Sequence, residues 1–273
     1  MEAAMASAQV TGTTSERSHT PACTGPHSRA RDWAEIQERM LVPLYQAVYE
    51  RLEVGPATSL LGFGCRSGLA LLLAAERGAQ VAGTESDTEL RELAQGRRLQ
   101  VQEDPRTAQS VARSAHSLVT VFEQLQTTPS PGRLVAAAAR RTLTGGQLVL
   151  ASWGPPERCE SAAVLEVAQR QAGRTPGRDP FALGAPGRLE GLLAAAGLRT
   201  AGGGRVTCPF AYPDLDSAVR GMLSTGLFDP AVAAAGSALV VKELEEALHP
   251  FVRPDASVRM VNVFRYVVGE RVN

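Results

Sequence analysis

A glycine-bearing turn and an acid about 20 residues after it have the spacing of a nucleotide-type ligand site. Gly64 and Gly68 bracket the turn, which follows the apolar run 58–63. Glycines there let backbone N–H groups approach a carboxylate or phosphate at the next helix N-terminus. Glu85 follows the next apolar run, where a carboxylate can accept both hydroxyls of a ribose. Turn glycines and loop acids also occur in folds that bind nothing, so the pattern predicts a ligand site without identifying it.

The elements around this turn form a βαβ unit. Apolar runs at 58–63 and 80–84 indicate strands, and the Ala/Leu-rich segment 69–77 between them indicates a helix. The alternation continues with helices at 88–97 and 133–143 and strands at 99–102, 117–122 and 147–153. Repeated alternation of this kind predicts an α/β fold, with a mainly parallel sheet and helices on both faces.

The two ends of the chain differ in composition. Residues 1–30 are rich in Ser, Thr, Ala, Gly and Pro and poor in large apolar residues, which predicts a disordered N-terminal tail. Apolar residues recur at helical spacing over 33–52, and the folded domain is therefore assigned to 31–273. After residue 153 the pattern predicts helices near 160–172, 187–196, 214–224 and 230–248, and strands near 204–210 and 257–268.

Composition excludes several classes of function. The 28 basic and 28 acidic side chains cancel, which argues against a nucleic-acid partner. The four cysteines are scattered without metal-ligand spacing, so they are interpreted as reduced thiols in a cytoplasmic protein that holds no metal. No basic segment precedes an apolar core at the N-terminus, and no apolar run approaches the roughly 20 residues of a membrane span.

Five segments together resemble the class I S-adenosylmethionine (SAM) methyltransferases, particularly bacterial small-molecule methyltransferases. They are SLLGFGCRSG at 59–68, GTES at 83–86, VTVF at 119–122, LTGGQLVL at 143–150 and VFRYVV at 263–268. The resemblance implies a Rossmann-like fold with a seven-stranded, mainly parallel sheet whose last strand is antiparallel. It also implies a helical cap formed by about 155–196 and 212–249.

The resemblance implies SAM as the cofactor and carries its contacts onto a set of positions in this chain. These are the loop residues Gly64, Arg66 and Gly68, the ribose acid Glu85 with Ser86, the adenine-side acids Glu103 and Asp104, and Phe122.

This chain departs from the family pattern within the cofactor loop. Gly62 stands where the first strand of the family usually ends in an acid, and Arg66 replaces the middle glycine. A guanidinium about 6 Å from the sulfonium of SAM would repel it by roughly 3 kcal/mol at an effective dielectric constant of about 20. Arg66 could instead clamp the methionyl carboxylate. The sequence leaves both geometries open, and with them the possibility that SAM binding is lost.

Catalytic groups are weakly indicated. Methyl transfer is an in-line displacement at an activated carbon, and it needs a base only for a hydroxyl or another unactivated acceptor. His116 and His249 are weak catalytic candidates, and each fits a structural role better. Five aromatic residues could line an apolar acceptor pocket or pack in the core: Trp153, Phe181, Phe210, Tyr212 and Phe228.

The sequence therefore predicts methyl transfer from SAM to a small molecule, in a tailoring step of secondary metabolism such as antibiotic biosynthesis. Two alternatives account for the altered loop. In the first, the chain has lost methylation and uses the old pocket for another reaction, for example a cyclisation. In the second, it is a non-catalytic partner of a related enzyme.

Overall fold

The structure is a computed structural model that describes residues 26–103, 115–172 and 179–272. Its strands are β1 (Ser59–Phe63), β2 (Gln80–Thr84), β3 (Val101–Gln102), β4 (His116–Val121), β5 (Thr142–Trp153), β6 (Arg199–Tyr212) and β7 (Val258–Glu270). They form one sheet in the order β3-β2-β1-β4-β5-β7-β6. β7 runs antiparallel to β5 and β6, and the other neighbours are parallel. The sheet is the mainly parallel, seven-stranded one that was predicted.

Eleven α-helices surround the sheet in the described part of the chain. They are α1 (Pro26–Asp32), α2 (Val42–Arg51), α3 (Leu69–Glu76), α4 (Thr88–Gly96), α5 (Gln124–Thr127), α6 (Pro131–Arg140), α7 (Ala162–Gln171), α8 (Arg188–Ala195), α9 (Leu215–Ser224), α10 (Asp229–Ala235) and α11 (Ser237–Leu248). Within the described ranges, no helix is long and apolar enough to cross a membrane.

The two faces of the sheet bury separate cores. Leu60 of β1 and Leu118 of β4 belong to a cluster with apolar side chains of α2, α3 and α4. Their neighbours Leu61 and Val119 belong to a second cluster with α6 and α8. Successive side chains of a strand point to opposite faces, so the unbroken apolar runs in the sequence fill both cores.

The strand order reverses direction between β1 and β4. The chain goes from β1 to β2 and β3 on one side, and β4 and β5 lie on the other side of β1. Loops that follow β1 and β4 therefore diverge at the carboxyl edge of the sheet. Ligands of open α/β sheets bind in the crevice that forms at such a point.

The segment before α2 departs from a regular helix. The sequence predicted one helix over 33–52, whereas Trp33–Gln37 forms a π turn and Glu38–Leu41 a 3-10 turn before α2 begins. Pro43 lies in the first turn of α2, where a missing N–H costs nothing, and the helix restarts there. The irregular turns allow this segment to follow the carboxyl edge of the sheet.

Helices α7, α9, α10 and α11 pack on one another beside this edge, as the predicted cap requires. The cap boundaries need one correction: α8 packs on the sheet face against α6, β6 and β7, because its apolar residues Leu189 and Leu193 belong to the second core. The predicted helix over 230–248 is divided at Gly236, whose φ of +86° ends α10.

The boundary of the N-terminal tail also needs a correction. Helix α1 begins at Pro26, and Ala30 is buried, so residues 26–30 belong to the fold rather than to the tail. Residues 1–25 lie outside the described residues, and the tail there stays a prediction.

Candidate functional site

The loop after β1 passes three times through left-handed backbone. Gly64, Arg66 and Gly68 have φ values of 67°, 51° and 86°. A Cβ on Gly68 would lie 2.4 Å from the side chain of Leu99, so only glycine allows the loop to pack there. Arg66 has no such freedom, and its left-handed conformation costs about 1 kcal/mol.

Gly62, at the position of the family's acid, has little space for a side chain. A Cβ there would lie 3.0 Å from Leu71 and 3.1 Å from the Cβ of Cys65. The end of β1 is therefore packed for glycine, and restoring an acid would require its neighbours to move.

The carboxylate of Glu85 is buried directly after β2, with 4% of the residue exposed. One oxygen accepts the backbone N–H of Arg66 at 2.8 Å, and the other accepts that of Asp87 at 2.9 Å. These two bonds fix the carboxylate, and Glu85 lines a cavity of about 320 Å³ together with Ser86, Gln124 and Arg66. Glu85 and Ser86 thus lie where the sequence predicted a ribose site.

The Arg66 side chain crosses from the loop to the cap. Its guanidinium lies over the ring of Trp33, 4.9 Å from the centroid, and donates to the carbonyl of Thr225 at 3.1 Å. Arg66 lines the Glu85 cavity, a cavity of about 470 Å³ on the side of Asp32 and Thr88, and a space of about 30 Å³ between them and the cap. The side chain therefore partitions the crevice.

An ion-pair network fixes the same loop from the other side. Glu38 is buried, accepts a hydrogen bond from the Ser67 hydroxyl, and pairs with Arg97 at 2.5 Å. Arg97 also donates to the Ser67 carbonyl at 3.0 Å. The sequence analysis did not single out these residues, which join three elements far apart in the chain.

Glu123 is a functional candidate that the sequence analysis missed. It follows β4 as Glu85 follows β2, it is buried, and its Oε1 accepts a hydrogen bond from the Tyr45 hydroxyl of α2. Burial raises the pKa of the Glu123 carboxyl to about 7; Tyr45 and Arg66 oppose this shift, and Glu85 adds to it. An acid directly after a buried strand was the available signal.

Aromatic side chains form the apolar wall of the crevice. Trp153 stacks on Phe264 with centroids 4.5 Å apart and meets Phe210 at 5.6 Å, and all three line the 30 Å³ space with Glu123. Phe181 packs behind Trp153, and Tyr212 and Phe228 are buried in the core. Of the five predicted aromatic residues, Trp153 and Phe210 reach the crevice.

Neither candidate histidine lies at this site. His116 begins β4, so it lies at the opposite edge of the sheet, where its Nδ1 is 2.9 Å from the Ser59 hydroxyl and burial lowers its pKa. His249 is exposed in the turn after α11 and lines none of the cavities that Arg66 lines. We therefore remove both from the candidate site.

Other predicted contacts have different surroundings. Phe122 is buried against Tyr45 and Tyr49, with centroids 5.0 and 6.1 Å away, and belongs to the core. Glu103 is exposed after β3, and Asp104 lies outside the described residues, so an adenine contact by either stays a prediction. In the described ranges no three His, Cys, Asp or Glu residues are grouped as a metal site would require.

Comparison with known proteins rests on structure alone. No protein-family model matches the chain, and no curated protein is similar to it in sequence. YcgJ from Bacillus subtilis matches with a TM-score of 0.54 at 14% identity, covering 84% of this chain and 98% of its own. Geranyl diphosphate C-methyltransferase from Streptomyces coelicolor, in complex with S-adenosyl-L-homocysteine, matches with 0.50 at 14% identity, covering 94% and 90%. The fold is that of the class I methyltransferases.

A third match is a cyclase, so proteins with this fold catalyse reactions other than methyl transfer. The [4+2]-cyclase SpnF is similar with a TM-score of 0.52 at 16% identity, covering 84% of this chain and 80% of its own. Identities this low establish the shared fold and leave the reaction of this chain to be argued from its own site.

The residues present fit SAM, the cofactor that the fold implies. Glu85 Oε2 accepts one backbone N–H and keeps a lone pair for a hydroxyl of the ligand, whereas Oε1 accepts the backbone N–H of Asp87 and also the Ser86 hydroxyl at 3.4 Å. In the described part of the chain, the buried Oε1 of Gln124 has no hydrogen-bond partner, and Gln124 lines the same cavity. Arg66 and Glu123 offer one charge of each sign for the zwitterionic, sulfonium-bearing end.

Proposed function

We propose that this protein transfers a methyl group from SAM to a small-molecule acceptor. The observation that carries the proposal is the buried Glu85 carboxylate, which lines a 320 Å³ cavity at the carboxyl edge of a class I methyltransferase sheet. Such a volume lies in the usual range of small-molecule sites. SAM, when bound, supplies the activated methyl group, so the protein's task is to position the two reactants.

Each side of the crevice has a separate task in this proposal. Glu85 and Ser86 take the ribose hydroxyls, and Arg66 takes the methionyl carboxylate as a charge-assisted donor. Trp153, Phe210 and the other aromatic side chains bound the acceptor. The acceptor is a small, largely apolar molecule, because the acceptor side is walled by aromatic rings and the chain has no net charge for a polyanion. We infer a cytoplasmic tailoring reaction of secondary metabolism, antibiotic biosynthesis included, from the resemblance of the sequence to bacterial small-molecule methyltransferases and from its scattered cysteines.

The Arg66 bridge favours a second candidate, a reaction such as cyclisation without methyl transfer. The guanidinium spans the crevice to Thr225, and the end of β1 is packed for glycine at the acid's position. A cation there opposes a sulfonium and would leave a neutral substrate unaffected. SpnF shows that a cyclase can have a similar fold, and the reaction of this chain still has to be argued from its own residues.

Calorimetric titration of the full chain with SAM and with S-adenosylhomocysteine tests the proposal. Methyl transfer predicts saturable binding of both ligands at micromolar concentrations. An absence of heat at millimolar SAM would contradict it and leave the second candidate in place.

Arg66→Gly separates the two candidates. If Arg66 holds the methionyl carboxylate, the variant loses a charge-assisted hydrogen bond and binds both ligands more weakly by about 1.5–3 kcal/mol. If the guanidinium repels the sulfonium, the variant binds SAM roughly 100-fold more tightly. Its affinity for S-adenosylhomocysteine, whose sulfur carries no charge, then changes little. The first result favours methyl transfer, and the second favours the reaction without it.

A further inference from the structure

Glu123 lies at the carboxyl edge of the sheet, beside the crevice in which ligands of open α/β sheets bind. β4 pairs with β1 in the middle of the sheet, and Glu123 follows the end of β4 across the crevice from the loop after β1. Only 6% of the residue is exposed, although its neighbours Gln124 and Thr127 line the open Glu85 cavity. The carboxyl therefore belongs to the floor of the crevice.

The groups that face this carboxyl come from α2, the loop after β1 and the end of β2. Tyr45 donates its hydroxyl proton to Oε1, Arg66 attracts the carboxylate, and Glu85 repels it. Tyr49 and Cys65 are also near, and burial raises the pKa of each, so both stay neutral. Two acids, Glu85 and Glu123, thus share the single positive charge of Arg66 among these groups.

This balance makes the charge of Glu123 responsive to a ligand. With burial raising its pKa to about 7, the free carboxyl is close to half protonated at neutral pH. A cation bound in the crevice favours the carboxylate and expels the proton. Removing that positive charge favours proton uptake again.

Glu123 also faces the apolar side of the crevice. It lines the 30 Å³ space with Trp153, Phe210 and Phe264, and Arg66 lines both this space and the Glu85 cavity. A group in this place can meet a substrate seated against the aromatic wall. The space itself holds about one water, so a substrate enters when the contact between Arg66 and Thr225 opens.

We propose that Glu123, held by Tyr45, accepts the proton of a hydroxyl-bearing, largely apolar methyl acceptor. The inference rests on the proposed function. The hydroxyl oxygen forms its bond to the methyl carbon, the carbon–sulfur bond breaks with its electron pair on sulfur, and the hydroxyl proton passes to the Glu123 carboxylate. The positive charge of the sulfonium disappears in the same step. The loss of this charge raises the pKa of the Glu123 carboxyl, so Glu123 accepts the hydroxyl proton more readily as the methyl group leaves sulfur.

Proton release on binding provides a test that needs no acceptor. We would titrate the full chain with SAM and S-adenosylhomocysteine in buffers of different ionisation enthalpy, between pH 6 and 8. The wild type should release about half a proton at pH 7 with SAM, more at pH 6 and little at pH 8. S-adenosylhomocysteine, which lacks the sulfonium, should release much less.

Three variants test whether the proton released on SAM binding comes from Glu123. Glu123→Gln should abolish the difference between the two ligands, whereas Glu92→Gln, an exposed change on α4, should leave it intact. Tyr45→Phe removes a hydrogen bond that holds the carboxyl pKa down, so it should move proton release to higher pH. A merely structural role for Glu123 would alter stability without altering these proton counts.

The outcomes separate this inference from the proposed function. SAM binding with the same proton release in wild type and Glu123→Gln would overturn the role of Glu123 and leave methyl transfer standing. Release that is unchanged in Tyr45→Phe would overturn the role of Tyr45. Failure of the wild type to bind SAM at all would overturn both proposals.

Discussion

Glu85 has two tasks that its position forces on a single side chain. Its oxygens hold the backbone N–H groups of Arg66 and Asp87, and the residue lines the cavity. The first task fixes the left-handed turn at Arg66, and the second would bind the ligand. Loop shape and ligand affinity are therefore coupled at this residue.

Replacing Glu85 should reveal both tasks. Glu85→Ala loses the charge-assisted acceptors and should weaken S-adenosylhomocysteine binding by roughly 1–3 kcal/mol, with a loss of stability because two buried N–H groups lose their partner. Glu92→Ala on exposed α4 is the matched control. Calorimetry and urea denaturation measure the two effects. Unchanged affinity in Glu85→Ala would remove Glu85 from the cofactor site.

Of the two acids in the crevice, Glu85 was predicted from the sequence and Glu123 was not. Glu85 could be predicted because the strand, turn and helix before it lie within one short segment. Glu123 pairs with Tyr45 across 78 positions, and no local spacing encodes that contact. Glu85 and Glu123 follow β2 and β4, the two parallel strands on either side of β1, so both acids lie at the same edge of the sheet.

At the scale of elements, the segment from α1 to α2 holds the crevice together. Asp32 pairs with Arg220 of α9 at 2.5 Å, and Gln37 accepts the Tyr212 hydroxyl of β6 at 2.9 Å. Glu38 and Tyr45 reach the loop after β1 and the end of β4, as described above. Polar contacts of these four residues thus join the segment to the cap at Arg220 and to the sheet and its loops elsewhere.

The Asp32–Arg220 pair should contribute measurably to this arrangement. Asp32 is 4% exposed, so Arg220→Ala leaves a buried carboxylate without its partner and should cost about 1–2 kcal/mol. In a double-mutant cycle with Asp32→Asn, the two changes should cost less together than their sum. Urea denaturation of the four proteins measures the coupling, and strictly additive effects would show that the pair contributes nothing.

The elements themselves were largely predictable, and the exceptions have local causes. Unbroken apolar runs identified the strands, and the resemblance supplied the antiparallel last strand. Periodicity could not reveal the π and 3-10 turns at Trp33–Leu41, because those turns keep the same residues buried. It also could not separate α8 from the cap, since a helix that packs on the sheet and one that packs on other helices show the same apolar stripe.

At the scale of the whole molecule, the fold should begin at α1. Deleting residues 1–25 should leave the melting temperature nearly unchanged, because their composition offers little apolar surface to bury. Deleting residues 1–30 also removes buried Ala30 and the Arg29–Asp229 ion pair, and should lower it by about 2–4 °C. Equal melting temperatures for the two truncated proteins would show that residues 26–30 add nothing to stability. A lower melting temperature after deletion of residues 1–25 alone would show that those residues pack on the fold.

The stability of the whole molecule should also report the charge of Glu123. Its carboxyl titrates near 7 when folded and near its ordinary 4.5 when unfolded, so the folded state binds the proton more tightly. That contribution is complete below pH 4.5 and is lost as the pH rises through 7, a change of about 3 kcal/mol. Glu123→Gln cannot ionise and should escape this loss.

Thermal unfolding between pH 5 and 8 tests this expectation. About 2.5 kcal/mol of this change falls between pH 5 and 8, so the wild type should lose about 5–10 °C more than Glu123→Gln over this range, and Glu92→Gln should follow the wild type. The comparison cancels groups that titrate alike in both proteins, because only residue 123 differs. Parallel curves for wild type and Glu123→Gln would mean that Glu123 ionises at an ordinary pKa, and the carboxyl could not then respond to a bound cation near neutral pH.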